Sequence, residues 1–248
     1  MLRYKVLTFD INKTLIKVRH SVGQQYAKVA SQFSVDVDAD DLERVYRTHY
    51  KDQNQKHPNF GATTGLTSEQ WWSEIVHRSF HQIGFTQEET LAKISTKLYN
   101  DFKKAPSWEV YPEVQEMLTF FNKNGVCLGV ISNMDERLMP ILQATDLARH
   151  FAFILPSIYA GCHKPDPRIF RQVLEHLRIQ DEPQNCAHIG DSVKKDYNGA
   201  RGIGMDAFVV DRDGELNHSK EIPKEHVLKD LTELESKIFL NGNKDSGM

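Results

Sequence analysis

Cysteine is scarce in this chain of 248 residues, which contains only Cys127, Cys162 and Cys186. The three positions lie far apart, their number is odd, and none belongs to a CxxC pair. This pattern argues against a disulfide framework and against a zinc knuckle. Two of the three, Cys127 and Cys186, fall within apolar strand patterns, and we therefore expect buried thiols.

Strong net charge and long apolar runs are also lacking. The formal charge is −3 and the isoelectric point is near 6.4, so the chain offers no general basic surface for nucleic acid or anionic lipid. No run approaches the ~20 apolar residues of a membrane helix, and a strand pattern begins at residue 5 without a preceding apolar signal segment. We expect an intracellular protein, most simply cytoplasmic and monomeric, that acts on small molecules and has neither a nucleic acid nor a membrane as partner.

What the sequence does contain is a set of short apolar runs. Five have the length of strands, at residues 5–9, 126–131, 151–155, 186–189 and 207–210. Helical patterns separate the later runs, as where Val114, Leu118 and Phe121 share one helix face. This alternation predicts an α/β fold with a parallel sheet. A last helix is predicted from Leu228 to Leu240, with a disordered tail at residues 241–248.

The long stretch between the first two runs has helical patterns instead. Thr67 and Thr86 each begin a capping-box sequence, in which the threonine oxygen and the third following side chain satisfy free backbone N–H groups. Residues 21–33 and 40–54 are predicted to be helical as well, and Pro106 ends the pattern. We therefore predict a helical cap domain at residues 17–106, inserted into a core formed by residues 1–16 and 107–240.

A distinctive polar residue lies at or beyond the end of four apolar runs: Asp10, Ser132, Lys164 and Asp191. Any one of them alone is more simply a turn or cap residue. Ligands of open parallel sheets bind beyond the carboxyl ends of the strands, so the four side chains should converge. Carboxylates and phosphate oxygens suit a small hard cation such as Mg²⁺, and Lys164 suits the charge that develops in phosphoryl transfer. Asp196 should either hold this group in place or cap the next helix.

The segments FDINKTL, VISNMD, HKPDP and IGDSVKKD, in this order and each at a strand end, resemble the four motifs of the haloacid dehalogenase-like hydrolase superfamily. The resemblance implies a Rossmann-like parallel core with an inserted helical cap that selects the substrate. It further implies that Asp10 is the nucleophile that accepts a phosphoryl group, that Ser132 donates a hydrogen bond to phosphate and that Lys164 balances charge.

The same resemblance implies a cofactor site. The expected Mg²⁺ ligands are Asp10, Asn12 through its backbone carbonyl, Asp191 and, in support, Asp196. Thr14 would orient the loop after the nucleophile, and Asn133 would belong with Thr14 to the cofactor-binding set. We expect the partner to be a small phosphorylated molecule.

Asn12 departs from the pattern of the family's phosphatases, which have a second aspartate at this position as general acid and base. An amide transfers no proton. The usual glycine after it is Lys13, which puts the local backbone geometry in question. General acid–base catalysis contributes ~10² to 10⁴ in rate, so poor leaving groups should be slowed by about 3–5 kcal/mol of barrier.

Three functions stay open on these residues. The first is a weak or specialised Mg²⁺-dependent phosphohydrolase that acts through an aspartyl-phosphate on Asp10. The second is a catalytically degenerate protein that binds a phosphorylated metabolite or partner. The third is a 2-haloacid dehalogenase-type hydrolase, because halide leaves without a proton. The resemblance implies that such dehalogenases work without metal, so the segment GDSVKKD argues against the third function.

Candidate substrate contacts lie in the predicted cap. They are the loop Pro58 to Gly65 and the flap after Leu15, including Arg19 and His20. The pair Trp71 and Trp72 is interpreted as cap core and its edge rather than as a base-stacking platform.

Overall fold

The computed structural model of the chain describes residues 1–216 and 222–239. Its strands are β1 (Val6–Phe9), β2 (Ile16–Val18), β3 (Trp108–Val110), β4 (Cys127–Ser132), β5 (Phe153–Pro156), β6 (Cys186–Gly190), β7 (Asp206–Val210) and β8 (Val227–Leu228). Its α-helices are α1 (Val22–Ser31), α2 (Ala39–Lys56), α3 (Ser68–Gln82), α4 (Glu88–Asp101), α5 (Val114–Lys123), α6 (Leu138–Ala144), α7 (Ser157–Ala160), α8 (Pro167–His176) and α9 (Asn198–Arg201).

Six strands form one parallel sheet in the order β5-β4-β1-β6-β7-β8, which confirms the predicted α/β class. Strand β1 lies inside the sheet, where Val6 is in register with both Cys127 and Cys186. All four residues of β1 are buried, as expected for a parallel sheet covered on both faces.

The two faces of the sheet carry different helices. Leu7 and Phe9 pack in one cluster with Phe121 of α5, whereas Val6 packs in a second cluster with Phe170 of α8. This alternation follows from the period of two in a strand. Because β1 is a parallel neighbour of both β4 and β6, the three strands end at the same edge of the sheet, where their last side chains can meet.

Helices α1 to α4 lie between β2 and β3 in the chain. These two strands pair antiparallel, with Val18 opposite Trp108, at the point where the chain leaves and re-enters the core. No pattern in the sequence predicted this small sheet. The helices share an apolar cluster of their own that includes Leu42, Phe80 and Leu91. We refer to α1–α4 with their connecting loops as the cap.

The helix starts agree only partly with the predicted signals. Thr67 caps α3 in a complete capping box with Gln70, as predicted. The second predicted box is wrong, because α4 begins at Glu88 and its N-cap residue, Gln87, makes no side-chain capping bond.

The predicted helix from Leu228 to Leu240 is also wrong. Leu228 belongs to strand β8 and pairs with Val210, and a short 3-10 helix follows at Leu231–Lys237. The apolar residues have helical spacing because Leu231, Leu234 and Ile238 are buried against the core. Leu228, the first residue of the pattern, belongs to the sheet instead. Leu240 and the predicted tail at 241–248 lie outside the described residues.

All three cysteines are free thiols. Cys162 and Cys186 are buried, whereas Cys127 is partly exposed, which corrects the expectation that both strand cysteines are buried. In residues 1–216 and 222–239, no helix combines the length and the apolar character needed to cross a membrane.

Candidate active site

The four polar strand-end residues meet at one edge of the sheet. Asp10 follows β1, and its Oδ1 accepts hydrogen bonds from Ser132 Oγ at the end of β4 and from Lys164 Nζ, each over 2.8 Å. Carboxylate oxygens of Asp10, Asp191 and Asp196 lie within 4.8 Å of one another. The parallel order of β4, β1 and β6 produces this meeting point, because it stacks their carboxyl ends side by side.

Lys164 is the buried cation of the group, with only 1% of its surface exposed. Its ammonium lies 2.6 Å from Asp196 Oδ1 and also donates to the carbonyl of Ile131. Burial alone would lower the pKa of Lys164, but the carboxylates of Asp10 and Asp196 hold this pKa above its ordinary value. The lysine therefore stays charged.

Asn133 clamps the backbone of Lys164. Its Oδ1 accepts from the Lys164 N–H over 2.8 Å, and its Nδ2 donates to the Lys164 carbonyl over 2.9 Å. Both polar atoms of the amide are thus used on protein backbone. Asn133 was predicted as cofactor-binding, yet these contacts make it a residue that positions the lysine.

Asp196 is buried beneath this cluster and has both oxygens in use. Oδ1 contacts Lys164 and the Nε2 of His188, 3.1 Å away, and Oδ2 accepts from the Ser192 N–H. Burial raises the pKa of Asp196, but Lys164 and His188 more than offset this and hold it well below the ordinary value. Of the two expected roles, Asp196 takes that of support, because Ser192 caps the following helical turn.

His188 and Thr8 form a second layer that the sequence analysis did not assign. They face each other in register on β6 and β1, with Thr8 Oγ1 2.8 Å from His188 Nδ1. Burial and the charge of Lys164 lower the pKa of His188, so its ring is neutral. A neutral ring that donates from Nε2 to Asp196 accepts at Nδ1 from Thr8, which fixes the orientation of the imidazole. The signal available in the sequence was that each is a polar residue within an apolar strand run.

Asp191 is the acid of this cluster that forms no ion pair within the described part of the chain. Burial and then the carboxylates of Asp10 and Asp196 raise the pKa of Asp191 to about 6, although Lys13 and Lys164 partly oppose this. Among the described residues, the two carboxylate oxygens of Asp191 form no hydrogen bond. The same is true there of Oδ2 of Asp10. These free oxygens are the ones that a metal ion can bind.

The donor chemistry of this cluster fits Mg²⁺. Its carboxylates supply only oxygen ligands, which a small hard cation prefers. A second group with suitable ligand atoms, on the cap surface, consists of His77, His81 and Glu88. Its imidazoles suit transition metals rather than Mg²⁺. The site expected from the motifs is therefore the one at the sheet edge.

The loop after Asp10 differs from expectation in two ways. Lys13 has a φ of 62°, in the left-handed region that glycine favours, so this lysine carries backbone strain of about 1–3 kcal/mol. Thr14 is fully buried and does not line the cavity described below, and its hydroxyl has no partner among the described residues. Its carbonyl accepts from Arg212, a contact that anchors the loop after the nucleophile.

A cavity of about 630 Å³ opens above the cluster, between the sheet edge and the cap. Asn12 lines it, and the amide of Asn12 takes part in no hydrogen bond among the described residues. Asn59 and Phe60, from the predicted cap loop, also line it, whereas Arg19 and His20 do not. Trp71 is fully buried in the cap as interpreted, but Trp72 faces the cavity.

The cap docks on the segment that follows β4. Trp72 Nε1 donates to Asp135 Oδ2 over 2.6 Å, and the hydroxyls of Ser68 and Tyr99 both donate to Glu136. Asp135 also forms a buried ion pair with Arg137. No local pattern in the sequence predicted these cap–core contacts.

A family model described as haloacid dehalogenase-like hydrolase matches residues 4–204 of the chain. The chain belongs to the haloacid dehalogenase-like hydrolase family. A Bos taurus member named haloacid dehalogenase-like hydrolase domain-containing protein 3 is 42% identical over 235 residues, which cover 94% of this chain and 93% of the relative.

Solved structures of the haloacid dehalogenase-like hydrolase fold resemble the chain as well. A 2-haloacid dehalogenase from Pseudomonas syringae pv. Tomato has a TM-score of 0.64 at 22% identity, and the match covers 94% of this chain and 97% of that one. A HAD phosphatase from Thermococcus onnurineus also has a TM-score of 0.64, at 21% identity and with the same coverage. The shared fold accommodates both kinds of protein, so the chemistry must be argued from this chain's own residues.

Proposed function

We propose that the chain is a Mg²⁺-dependent phosphohydrolase of weak or specialised activity that acts through an aspartyl-phosphate on Asp10. The observation that carries this proposal is the unbalanced charge of the cluster. Asp10, Asp191 and Asp196 are opposed within the cluster by the buried Lys164, and the pKa of Asp191 is raised to about 6 as a result of burial and of its acidic neighbours. A divalent cation relieves this repulsion.

Asp10, Asp191 and the backbone carbonyl of Asn12 would hold the metal, with Asp196 in support. When bound, Mg²⁺ neutralises the acids and the phosphate oxygens, as metal ions do in phosphoryl transfer. The small phosphorylated molecule would occupy the cavity above them.

The carboxylate of Asp10, whose Oδ1 accepts from Ser132 and Lys164, is the attacking group and reacts through the oxygen that does not bind the metal. This oxygen forms a bond to phosphorus, the bond from phosphorus to the ester oxygen breaks, and that oxygen leaves with the electron pair. Water then attacks phosphorus, the bond to Asp10 breaks, and inorganic phosphate is released. Lys164 provides fixed positive charge beside the reacting carboxylate throughout.

Asn12 limits this reaction to particular substrates. Its amide neither protonates the leaving oxygen nor accepts a proton from the attacking water. Leaving groups that are stable as anions need no proton, so we expect activity mainly toward their phosphate esters or anhydrides.

The proposal is tested by a panel of phosphorylated metabolites assayed with Mg²⁺ for wild type and Asp10→Asn. We expect phosphate release by wild type that chelation of the metal abolishes, and none by the variant. Release of halide from short 2-haloacids with the metal chelated would instead favour dehalogenation. If wild type released phosphate from no compound of the panel, the proposed hydrolysis would be contradicted.

The missing acid at Asn12 also favours a second candidate, a protein that binds a phosphorylated molecule without hydrolysing it. In that case Mg²⁺ with beryllofluoride raises the melting temperature, and Asp10→Asn removes the increase, while no substrate turns over. Asp10-dependent turnover of a natural phosphate ester would refute this candidate.

A further inference from the structure

Two imidazoles and one carboxylate meet near the turn between α3 and α4. His77 and His81 lie one helical turn apart on α3, and Glu88 is the first residue of α4. Nδ1 of His77 lies 3.0 Å from Oε2 of Glu88, and Nε2 of His81 lies 2.8 Å from Oε1 of the same carboxylate. Two helices of the cap thus bring together three side chains that can bind a metal ion.

The spacing of the two histidines suits a shared ion. Residues four apart on a helix lie on the same face, and two such histidines are a known pair of zinc ligands, to which a glutamate can be added as the third. The ring centroids of His77 and His81 are 6.3 Å apart and their planes are inclined by 66°, so the rings do not stack on each other. Their edges are therefore free to face a common point.

The connection between the helices fixes Glu88 opposite this pair. Helix α3 ends in a Schellman motif, in which the N–H of Gly84 donates to the carbonyl of His81 over 3.0 Å. The N–H of Phe85 donates to the carbonyl of Phe80, also over 3.0 Å, and their rings pack with centroids 6.2 Å apart. Gly84 supplies the positive φ, of 91°, that the motif requires. The backbone therefore holds the three side chains together before any ion binds.

The distances leave room for a small adjustment. Zinc bonds of about 2.0–2.2 Å to nitrogen and oxygen separate the ligand atoms of a tetrahedral site by about 3.4 Å. The present separations are those of hydrogen bonds, so the side chains must move apart by about half an ångström. They are accessible enough to do so, since the exposed fraction is 25% for His77, 41% for His81 and 64% for Glu88. Water can fill the fourth position.

Ion pairing alone explains this cluster less well. Pairing of both histidines with Glu88 requires both rings to be protonated, which places two like charges on neighbouring turns of α3. Neutral rings avoid this repulsion, and each then offers a lone pair that a metal ion can bind. Imidazole nitrogens favour zinc and its transition-metal neighbours over Mg²⁺.

We propose that His77, His81 and Glu88 bind a Zn²⁺ ion that links α3 to α4. The site shares no residue with the acidic cluster at the sheet edge, and the inference does not depend on the proposed function.

The link lies at the end of these two helices that is remote from the core. Ser68 and Tyr99, at their opposite ends, both donate to Glu136 of the core. At a rise of 1.5 Å per residue, Ser68 is about 20 Å along α3 from His81. The ion would therefore restrain the α3–α4 pair at the end that the core does not hold.

Calorimetric titration of the full chain with Zn²⁺ tests the assignment, in excess Mg²⁺ that competes for the carboxylates of the sheet edge. We expect one Zn²⁺ to bind per chain. His81→Gln and Glu88→Gln should each weaken this binding by more than about tenfold, because loss of a residue that merely supports a ligand already costs about 10–100-fold. His176→Gln is the matched control and should bind as wild type does, since His176, like His81, is an exposed histidine in the last turn of its helix.

Three results would overturn the site. They are no Zn²⁺ binding by wild type, unchanged affinity in both His81→Gln and Glu88→Gln, and binding that Asp10→Asn removes while His81→Gln keeps it. The last result would place the ion at the sheet edge.

Hydrogen exchange tests whether the ion links the helices. Saturating Zn²⁺ should slow exchange of the backbone amides at residues 83–87 in wild type and in His176→Gln, and leave it unchanged in His81→Gln. Unchanged exchange in wild type would overturn the link. This comparison of wild type with and without Zn²⁺ decides even if a variant fails to fold.

Discussion

The indole nitrogen of Trp72 donates to Oδ2 of Asp135 over 2.6 Å, and through this bond the cap is fastened to the core beside the cavity. Arg137 lies over the same indole, with its guanidinium carbon 4.6 Å from the ring centroid. One side chain therefore forms part of the cavity wall and also part of the contact that closes it.

Trp72→Phe should weaken this closure while keeping a ring in the wall. We expect the free energy of unfolding to fall by about 1–2 kcal/mol, because a hydrogen bond to a buried carboxylate is lost, and KM for the phosphate substrate to rise. Urea unfolding and steady-state kinetics measure the two effects. Trp71→Phe is the control, since it loses a comparable bond to the carbonyl of His57 inside the cap. Equal changes of KM in both variants would argue against a role in closure.

Asp191→Asn should stabilise the metal-free protein. The folded-state pKa of Asp191, about 6, lies above its ordinary value of 3.8, so the folded chain holds this proton more tightly than the unfolded chain. Stability from this residue is therefore lost as pH rises from about 4 to about 6. At pH 7.5 in chelator, we expect the variant to gain about 1–2 kcal/mol, a figure reduced because solvent screens a partly exposed carboxylate.

The stabilisation should reverse when Mg²⁺ is added. Binding to the folded state stabilises wild type according to the ratio of metal concentration to dissociation constant, and the variant lacks one ligand. Calorimetric melting in chelator and in Mg²⁺ checks both signs. If Asp191→Asn were less stable than wild type in chelator, the destabilising effect assigned to the buried Asp191 carboxylate would be wrong.

Asp196→Asn should act in the opposite direction. It leaves the buried ammonium of Lys164 with Asp10 as its remaining carboxylate, and breaking one side of a buried ion pair costs about 3–5 kcal/mol. The lowered pKa of Asp196 means that its contribution is present above pH 3.8 and is lost as pH falls through the folded-state value. Urea unfolding at pH 7.5 in chelator measures the effect. If Asp191→Asn and Asp196→Asn changed the free energy of unfolding in the same direction, the opposite effects assigned to these two acids would be wrong.

Asn12→Asp should restore proton transfer. We expect turnover of an alkyl phosphate to rise by ~10² to 10⁴, since its leaving group needs a proton, and turnover of an aryl phosphate to rise far less. Initial rates on a matched alkyl and aryl pair with Mg²⁺ measure the ratio. Lys13→Gly relieves the left-handed backbone without adding an acid, so as a control it should leave this ratio unchanged. Equal gains on both esters in Asn12→Asp would count against a missing acid.

The cluster at the sheet edge could be predicted because it depends on a rule about parallel strands. Asp10, Ser132 and Asp191 sit at or just beyond strand ends, and the strand order brings those ends together whatever fills the intervening chain. The helical character of the cap followed similarly from local signals such as the box at Thr67.

The remainder depends on contacts that no local pattern specifies. The bond from Trp72 to Asp135 spans 63 residues and exists only once the cap has docked. Oδ1 of Asn59 has no hydrogen-bond partner among the described residues, and the hydrophobic periodicity of a sequence carries no information about hydrogen bonding. Asn133 was assigned to a cofactor from its motif, yet its amide is used by the backbone of Lys164.

The position of β1 has a consequence for the order in which the protein is made. Asp10 is synthesised 154 residues before Lys164, its partner over 2.8 Å. At about 5–20 residues per second, the ribosome needs about 8–30 s to cover that distance. During this interval β1, all of whose residues end up buried, has at most one neighbouring strand complete, because β4 ends at residue 132 and β6 begins only at residue 186. A chain whose translation stops within the cap would thus present an unpaired apolar strand to chaperones and proteases.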